Sequence, residues 1–170
     1  IVLGLLFGSF VNAFVWRIHE KKDWVSDRSE CPHCHHKLGV WDLIPVLSWV
    51  FLKGKCRYCH KSIPDSPLVE LAVPALFALS YVFWPEPLRG VGLVSFVLWL
   101  VFVVGFVALA VYDLKWMLLP NVIVFPLMGL AALYVLSRFV LTGDWHEMAG
   151  GLAGAAVISG LFYVIFALSK

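Results

Sequence analysis

An uncharged apolar run at 91–112 constrains the fold more than any other feature of this sequence. A helix rises about 1.5 Å per residue, so such a run is long enough to cross the ~30 Å hydrocarbon core of a bilayer. Of the 170 residues, 61% are hydrophobic and 14% are charged, against about 45–50% and about 25% in an average soluble domain. The sequence therefore predicts an integral membrane protein.

Apolar runs recur along the whole chain, separated by short turns and by one longer polar segment. The five runs are about 1–16, 67–84, 91–112, 121–141 and 148–168. Their lengths approach the roughly 20 residues that a membrane-spanning helix needs. The first run is also compatible with a signal peptide, but it lacks a basic start and an A-x-A-like cleavage site. We predict an all-α integral membrane fold with about five transmembrane helices.

The organisation that follows has three parts: a first transmembrane helix at 1–18, a loop domain at 19–66, and helices two to five at 67–170. Nine of the thirteen basic residues lie between the first and second runs, and such loops stay on the cytoplasmic side. Alternation then places Asp113 at the cytoplasmic boundary and the turns at 85–90 and 142–147 on the far side. The bilayer is thus the first predicted partner, and a net charge of +2 gives no case for nucleic acid.

The loop carries two Cys-x2-Cys pairs, at 31–34 and 56–59, and its four cysteines are Cys31, Cys34, Cys56 and Cys59. Each pair supplies two thiolates from one tight turn, and two pairs complete a tetrahedral zinc site. A segment of fewer than about 50 residues buries little apolar core, so metal binding would supply folding free energy directly. We predict a structural zinc ion, because four cysteine ligands leave no open position for catalysis.

Other interpretations of the cysteines remain. Disulfides are disfavoured on the cytoplasmic side, where thiols stay reduced. A thioredoxin-like redox pair belongs to a βαβ pattern, which is absent from this sequence. A mixed Cys/His ligand set stays open, because four histidines flank the pairs: His33, His35, His36 and His60.

Between the pairs, WDLIPVLSWVFLKG at 41–54 is too apolar for a solvated linker. Two interpretations stay open for this stretch. It is either an amphipathic segment lying on the membrane surface or the local core between the two cysteine pairs.

Several stretches together resemble one protein family. GLLFGSFVNAFVWRI at 4–18 is similar to the first span of bacterial type IV prepilin peptidases. The double Cys-x2-Cys loop follows in that family too, and IPVLSWVFLKGKCRYCHKSI at 44–63 and PLVEL at 67–71 match its arrangement. DLKWMLLPN at 113–121 resembles the Asp-(x)6-Pro element of the family. The resemblance covers residues 4 to about 126 in the family's order.

The resemblance implies a membrane aspartyl endopeptidase of the bacterial inner membrane. Its substrates would be type IV prepilins or pseudopilins, whose basic leader is cleaved after a Gly at the cytoplasmic face. Asp113 would be the first catalytic aspartate, and Glu70, near the start of the second span, a supporting residue of the site. The family further implies N-methylation of the new N-terminus with S-adenosylmethionine, although no residue here can be assigned to that cofactor.

A second catalytic aspartate is required, because one carboxylate must be ionised to activate water while the other donates a proton to the scissile carbonyl. The family carries it in a Gly-x-Gly-Asp motif, which is absent from these 170 residues. We therefore expect a truncated chain without peptidase activity of its own. The alternative is a non-catalytic zinc-binding membrane module that docks a cytoplasmic partner through the 19–66 loop.

Overall fold

The computed structural model describes residues 1–23, 27–63 and 66–168. Six α-helices make up its frame: α1 (Val2–His19), α2 (Leu47–Phe51), α3 (Leu68–Val82), α4 (Val91–Trp116), α5 (Asn121–Thr142) and α6 (Trp145–Leu168). A short 3-10 turn, Val40–Asp42, precedes α2. The described residues contain no strand, only two isolated bridges, so the all-α prediction is confirmed. Positions 24–26 and 64–65 of the predicted loop, and 169–170 of the last segment, lie outside the described residues.

Each predicted apolar run lies on a helix, but the helices differ in length. Among the residues described, α1, α4 and α5 are long and apolar enough to cross a membrane. Helix α3 has 15 residues, or about 22 Å at 1.5 Å per residue, less than the ~30 Å core. The helix ends at Val82, and Phe83, a member of the apolar run, is its C-cap residue. In α6 the described apolar stretch, Met148–Val157, is also short. The membrane spans predicted at α3 and α6 therefore stay predictions.

Helices α1 and α3 approach each other through glycine. A Cβ atom built on Gly8 would lie 2.6 Å from the Cα atom of Glu70, and one built on Gly4 would collide with the backbone of Pro74. Small residues allow such close backbone contact between membrane helices, where dispersion forces replace the hydrophobic effect. This contact sets Glu70 level with Gly8, well inside the length of α1.

The largest buried cluster joins α1, α4 and α5. Its members are Val11, Val15, Ala108, Val111, Tyr112 and Ile123. All of these except Ile123 belong to α1 or to the last third of α4, so these two helices pack together along their adjoining ends. The packing places the end of α4, which carries Asp113, beside the end of α1.

Contacts at the two ends of the bundle agree with alternation of the helices. At one end the ring of His19, the last residue of α1, stacks on Trp116, the last residue of α4, with centroids 4.0 Å apart. At the other end Arg138 of α5 forms an ion pair with Glu86 of the turn between α3 and α4, at 3.2 Å. The cysteine loop and Asp113 therefore share one end of the bundle, and the turn at 85–90 lies at the opposite end.

Candidate functional site

Both Cys-x2-Cys pairs lie on turns with the same backbone pattern. The N–H of Cys31 donates to the carbonyl of His36 at 3.0 Å, and the N–H of Cys56 donates to the carbonyl of Lys61 at 2.9 Å. An isolated bridge closes each turn, Glu30 with Lys37 and Lys55 with Ser62. Each of these positions in the first turn has its equivalent in the second, so the two halves of the site are a structural repeat.

A left-handed residue completes each turn. His35 has a φ of 55° and His60 a φ of 57°, and their N–H groups donate to the carbonyls of Cys31 and Cys56 at 2.9 and 3.0 Å. Non-glycine residues are uncommon in this region, although His is among the enriched types. The turn bends the chain back so that both cysteines of a pair face the same point.

The geometry of the four sulfurs suits a tetrahedral metal ion. The Sγ atoms of Cys31, Cys34, Cys56 and Cys59 lie within 4.8 Å of one another, and Cys31 Sγ is 3.8 Å from Cys59 Sγ. A zinc–sulfur bond of about 2.3 Å corresponds to a sulfur–sulfur edge of about 3.8 Å in a tetrahedron. Within the part of the chain that the structure describes, this group of potential metal ligands contains cysteines alone.

Two of the flanking histidines have other contacts, which weakens the mixed ligand set. His33 Nε2 lies 3.1 Å from the carbonyl oxygen of Ser62, and the ring of His36 packs on Tyr58 with centroids 3.7 Å apart. Both contacts run from the first cysteine turn to the second. These histidines therefore tie the two halves of the repeat together from outside the sulfur cluster.

The thiols differ strongly in acidity. Burial raises the pKa of Cys31, but backbone N–H groups of His33 and Cys34 and neighbouring thiols outweigh it and lower the pKa to about 6. For Cys34 the N–H of His36 lowers the pKa, whereas burial and three neighbouring thiols raise it to about 11. Four sulfurs this close resist ionising together, so a bound cation must displace protons from them.

A buried carboxylate organises the segment between the turns. The side chain of Asp42 is 5% exposed and accepts hydrogen bonds from Gly39 N at 3.1 Å, Arg57 Nε at 2.6 Å and Tyr58 Oη at 3.3 Å. Burial alone would raise its pKa, but Arg57, the Gly39 N–H and the Tyr58 hydroxyl hold the pKa of Asp42 below its usual range. The sequence-based prediction missed this residue, whose signal is a lone acid within the apolar stretch 41–54.

Glu70 reaches from α3 to a strained turn of the loop. Val46 has φ 61° and ψ −49°, and Leu47 N donates to the Pro45 carbonyl at 2.6 Å. This is the γ-turn of positive φ, rare and strained, and unusual for a β-branched residue. The N–H of Val46 donates to Glu70 Oε2 at 2.6 Å, so this carboxylate anchors the turn to the helix bundle.

A cavity of about 150 Å³ lies where α1, α3 and the loop meet. Asn12 and Arg17 of α1, Ser48 and Trp49 of the loop, and Glu70 of α3 are among its lining residues. Binding sites for whole cofactors are typically about 300–1,000 Å³, so this volume suits a side chain or a few water molecules. The indole N–H of Trp49 is buried there without a hydrogen-bond partner among the described residues.

Asp113 lies in the last turn of α4 and not in the link that follows it. Its side chain is exposed, and its carbonyl accepts the N–H of Met117 at 2.7 Å, where a left-handed residue ends the helix. The aromatic rings of Tyr112 and Trp116 on either side pack together and contact His19. Asp113 belongs to the described part of α4 but does not line the cavity that contains Glu70.

Comparison with known proteins identifies relatives over most of the chain. The profile of the family described as Bacterial Peptidase A24 N-terminal domain matches residues 2–84. A prepilin leader peptidase/N-methyltransferase of Vibrio cholerae is 35% identical over 179 residues, covering 99% of this chain and 67% of that protein. The protein of the same name from Stutzerimonas stutzeri is 34% identical, covering 90% and 60% of the two chains.

A further relative, the type 4 prepilin-like proteins leader peptide-processing enzyme of Escherichia coli, is 34% identical over 138 residues. That match covers 70% of this chain and 49% of the relative. The chain thus spans about half to two thirds of the length of these three relatives. No solved structure matches it.

Proposed function

Because this chain belongs to the prepilin leader peptidase family, we propose that it is part of a membrane aspartyl endopeptidase that cleaves the basic leader from type IV prepilins or pseudopilins. The names of the relatives support the reaction class. One observation supports the assignment of a catalytic role to Asp113. This residue lies at the end of the bundle where the cysteine loop is attached, beside the His19–Trp116 stack. A single end of the molecule thereby offers both an acid and a folded loop to a substrate.

Asp113 is one of the two carboxylates that this reaction needs. The ionised member of such a pair takes a proton from the attacking water, and the neutral member donates one to the oxygen of the scissile peptide. Two carboxylates that share a site hold different pKa values, since both cannot ionise easily. We assign the second to a Gly-x-Gly-Asp sequence of the longer protein, because residues 1–170 contain none.

Glu70 has a positioning role in this proposal. Its carboxylate is bonded to the N–H of Val46, and it shares the cavity with Trp49 and Arg17. An acceptor committed to a backbone N–H is poorly suited to exchange protons with water. We therefore attribute to Glu70 the placement of the loop segment that follows Pro45, next to the path of a substrate across the bundle end.

The four cysteines would hold a zinc ion with a structural role. Their sulfur geometry supports this assignment, and a site with four thiolate ligands has no open position for water. The ion would supply the free energy that folds the loop. Its presence would keep the two cysteine turns of the 27–63 segment folded at this end of the bundle.

Methylation of the new N-terminus with S-adenosylmethionine is the second activity that we propose for the longer protein. The relatives' name, peptidase/N-methyltransferase, supports it. The cavity between α1, α3 and the loop is smaller than a site for the whole cofactor, so residues of this chain are not assigned to cofactor binding.

The proposed location is the bacterial inner membrane, with the cysteine loop and Asp113 on the cytoplasmic side. The excess of Lys and Arg in the loop supports this orientation. A prepilin leader is basic and would reach the site from the cytoplasm. The lipid bilayer and the prepilin are therefore the two proposed partners.

Substitution of Asp113 tests the proposal in the longer protein. We expect Asp113→Asn to lower prepilin cleavage by about 10²–10⁴-fold, the contribution of a general acid or base. Asp144→Asn, an exposed acid in the turn between α5 and α6, is the matched control and should cleave normally. The measurement is the rate of leader removal from a purified prepilin in detergent micelles, with zinc content as the check on folding.

Unchanged cleavage by Asp113→Asn would contradict the catalytic role. Prepilin that binds the longer protein but stays uncut in every variant would favour the zinc-binding docking module instead. Cleavage by residues 1–170 alone would contradict the assignment of the second carboxylate to another part of the protein.

A further inference from the structure

The loop segment 40–51, which we call the apolar segment, exposes its large side chains instead of burying them. Six of them are exposed: Val40, Trp41, Leu43, Leu47, Val50 and Phe51. Trp41 is 77% and Phe51 is 81% exposed. Contiguous exposed apolar surface of this kind marks an interaction site. Neither proteolysis nor zinc binding requires it.

The depth of the apolar segment follows from its anchor. Gly8 of α1 packs against the Cα atom of Glu70, and Glu70 binds the N–H of Val46. Gly8 precedes Arg17, the first charged residue of α1, by nine positions, or about 14 Å along the helix axis. Because a glutamate side chain spans about 5 Å and its hydrogen bond to the Val46 N–H adds 2.6 Å, Val46 lies at least roughly 6 Å below the level of Arg17.

The cavity is consistent with this placement, although its lining runs along α1 from Ser9 to Arg17 and also includes Cys56, so the depth itself follows from the Glu70–Val46 bond. Ser48 and Trp49 of the apolar segment and Asn12 of α1 line it together. Asn12 precedes Arg17 by five positions, or about 8 Å. The bond from Val46 to Glu70, which packs beside Gly8, therefore sets the apolar segment alongside α1, a candidate span. Interfacial amphipathic segments are buried about 5–10 Å into the boundary between headgroups and acyl chains.

The backbone of the apolar segment is suited to that environment. An N–H or C=O without a partner is costly away from water, so irregular structure at membrane depth needs its groups satisfied. The N–H of Val46 binds Glu70. Those of Leu47, Ser48 and Val50 bind carbonyls of Pro45, Ile44 and Val46 at 2.6 to 3.1 Å.

Charge beside the apolar segment favours lipid over other occupants. Lys37 precedes it, and Lys53 and Lys55 follow it, and all three are exposed. Basic residues at the edge of an interfacial segment are attracted to anionic headgroups. Exposed aromatic residues such as Trp41 are typical of the same layer.

We propose that the apolar segment inserts into the lipid leaflet on the loop side of the membrane. Trp41, Val50 and Phe51 would contact acyl chains just below the headgroups, while the zinc-binding turns remain in water above them. Lipid contact would thus hold the loop from one side and Glu70 from the other. This inference depends on α1 crossing the membrane and is independent of the peptidase activity.

Site-specific spin labels measure the depth directly. A ketone-bearing amino acid placed at Trp41, Phe51 or Tyr58 accepts a label without disturbing the four cysteines. Tyr58 is the control, because it is 45% exposed and lies on the second cysteine turn. The protein is placed in nanodiscs of phosphatidylethanolamine and phosphatidylglycerol, and collisions of each label with oxygen and with a water-soluble nickel chelate are compared.

We expect oxygen collisions to exceed nickel collisions at positions 41 and 51 and the reverse at position 58. Nickel-dominated collisions at all three positions would overturn the proposal, since the segment would then lie in water. Few collisions with either reagent at 41 and 51 would also overturn it, because a second protein copy would then cover the segment.

An acidic substitution provides an independent measurement. With the label at Trp41, Phe51→Asp should shift collisions from oxygen toward nickel, whereas Lys61→Asp, at an exposed position of the second cysteine turn, should leave them unchanged. Zinc content should stay the same in both variants, which shows that the cysteine turns are folded. An unchanged label environment in Phe51→Asp would contradict the role of Phe51 in lipid contact.

Discussion

The helix bundle and the cysteine loop are held together by different physical means. In the bundle, Val11 and Val15 are fully buried, and four further apolar residues of α4 and α5 pack around them. In the described part of 20–66, the residues buried as a whole are Cys31, Gly54 and Cys56, and the Asp42 carboxylate is buried although its residue as a whole is only partly so. One region relies on apolar contact between helices, and the other on sulfur ligands and hydrogen-bonded carboxylates.

Apolar content alone therefore does not decide which region forms a core. The loop contains three tryptophans, one phenylalanine and four leucines. Of the seven that the structure describes, Trp41, Leu43, Leu47 and Phe51 are exposed. The short length of the loop allows few residues to surround any one side chain. A metal ion needs four donors only, so it can organise a segment that is too small for an apolar core. The two regions should therefore lose structure independently.

The strongest test of that independence is removal of one ligand. Cys31→Ser should abolish zinc binding, a loss on the scale of the roughly 10–16 kcal/mol that structural zinc contributes in small domains. Amide hydrogen exchange should become fast throughout 27–63 while α1 and α4 stay protected. His36→Ala is the control and should retain one zinc ion, because its ring packs on Tyr58.

Retention of a full zinc equivalent in Cys31→Ser would contradict the four-cysteine site. Loss of zinc in His36→Ala would favour the interpretation in which cysteine and histidine together bind the metal. Fast exchange in α1 and α4 as well would show that the bundle depends on the folded loop.

A glycine substitution tests the bundle instead. Gly8→Ala forces a methyl group to 2.6 Å from the backbone of Glu70 and should lower the free energy of unfolding by about 1–3 kcal/mol. Gly129→Ala is matched in chemistry, but a Cβ atom there has nothing within 4 Å. It should be neutral or stabilise α5 by up to about 1 kcal/mol.

Thermal unfolding in detergent, followed by helical circular dichroism, gives both values. Equal stabilities of the two variants would contradict the close contact between α1 and α3. Zinc content should be the same in both, because neither glycine lies in the cysteine loop.

The buried carboxylate tests the polar support of the loop. Asp42→Asn removes the charge that Arg57 faces and should destabilise the loop by about 1–2 kcal/mol. The pKa of Asp42 is lowered in the folded chain, so its stabilisation is present above the unfolded value of about 3.9 and is lost as pH falls through the folded pKa. Urea-induced zinc release should therefore show a constant gap between wild type and variant from pH 8 to about pH 5.5.

Lys61→Gln is the control for a change of charge in the loop, since this lysine is exposed, and it should leave the urea midpoint unchanged. A gap that narrows between pH 8 and pH 5.5 would contradict the lowered pKa of Asp42.

The smallest effect is expected where the two regions meet. Glu70→Gln replaces a charged acceptor of the Val46 N–H with a neutral one and should cost about 1 kcal/mol. Faster hydrogen exchange at Val46 and Leu47, with unchanged zinc content, is the expected signature. The control is Glu20→Gln, which changes an exposed acid just after α1. In this variant Val46 and Leu47 should exchange at the wild-type rate. Unchanged exchange at Val46 in Glu70→Gln would remove the proposed anchor.

Several site features could not be predicted from the sequence, for a common reason. The Asp42 carboxylate accepts a hydrogen bond from Arg57, which lies 15 positions away in the sequence. Glu70 contacts Val46, 24 positions away, and the His19 ring stacks on Trp116 from another helix. No local pattern records such pairs, because the first depends on how the cysteine loop folds on itself and the other two on how far α1, α3 and α4 slide along one another. The strained turn at Val46 is equally hidden, since no sequence preference favours valine there.

Local patterns in the sequence were enough to locate the helices, to select the side chains suited to bind metal and to indicate the family. Apolar runs and the spacing of cysteines are local, and the solvent and the ligand chemistry respond to them directly. Tertiary packing was needed to show that Gly8 brings Glu70 deep beside α1, that Asp42 is buried, and that 40–51 faces outward at that depth. The position of Glu70 and of 40–51 arises because the close packing of α1 on α3 fixes how far along α1 the attached loop lies. The burial of Asp42 arises from its hydrogen-bond partners within the loop.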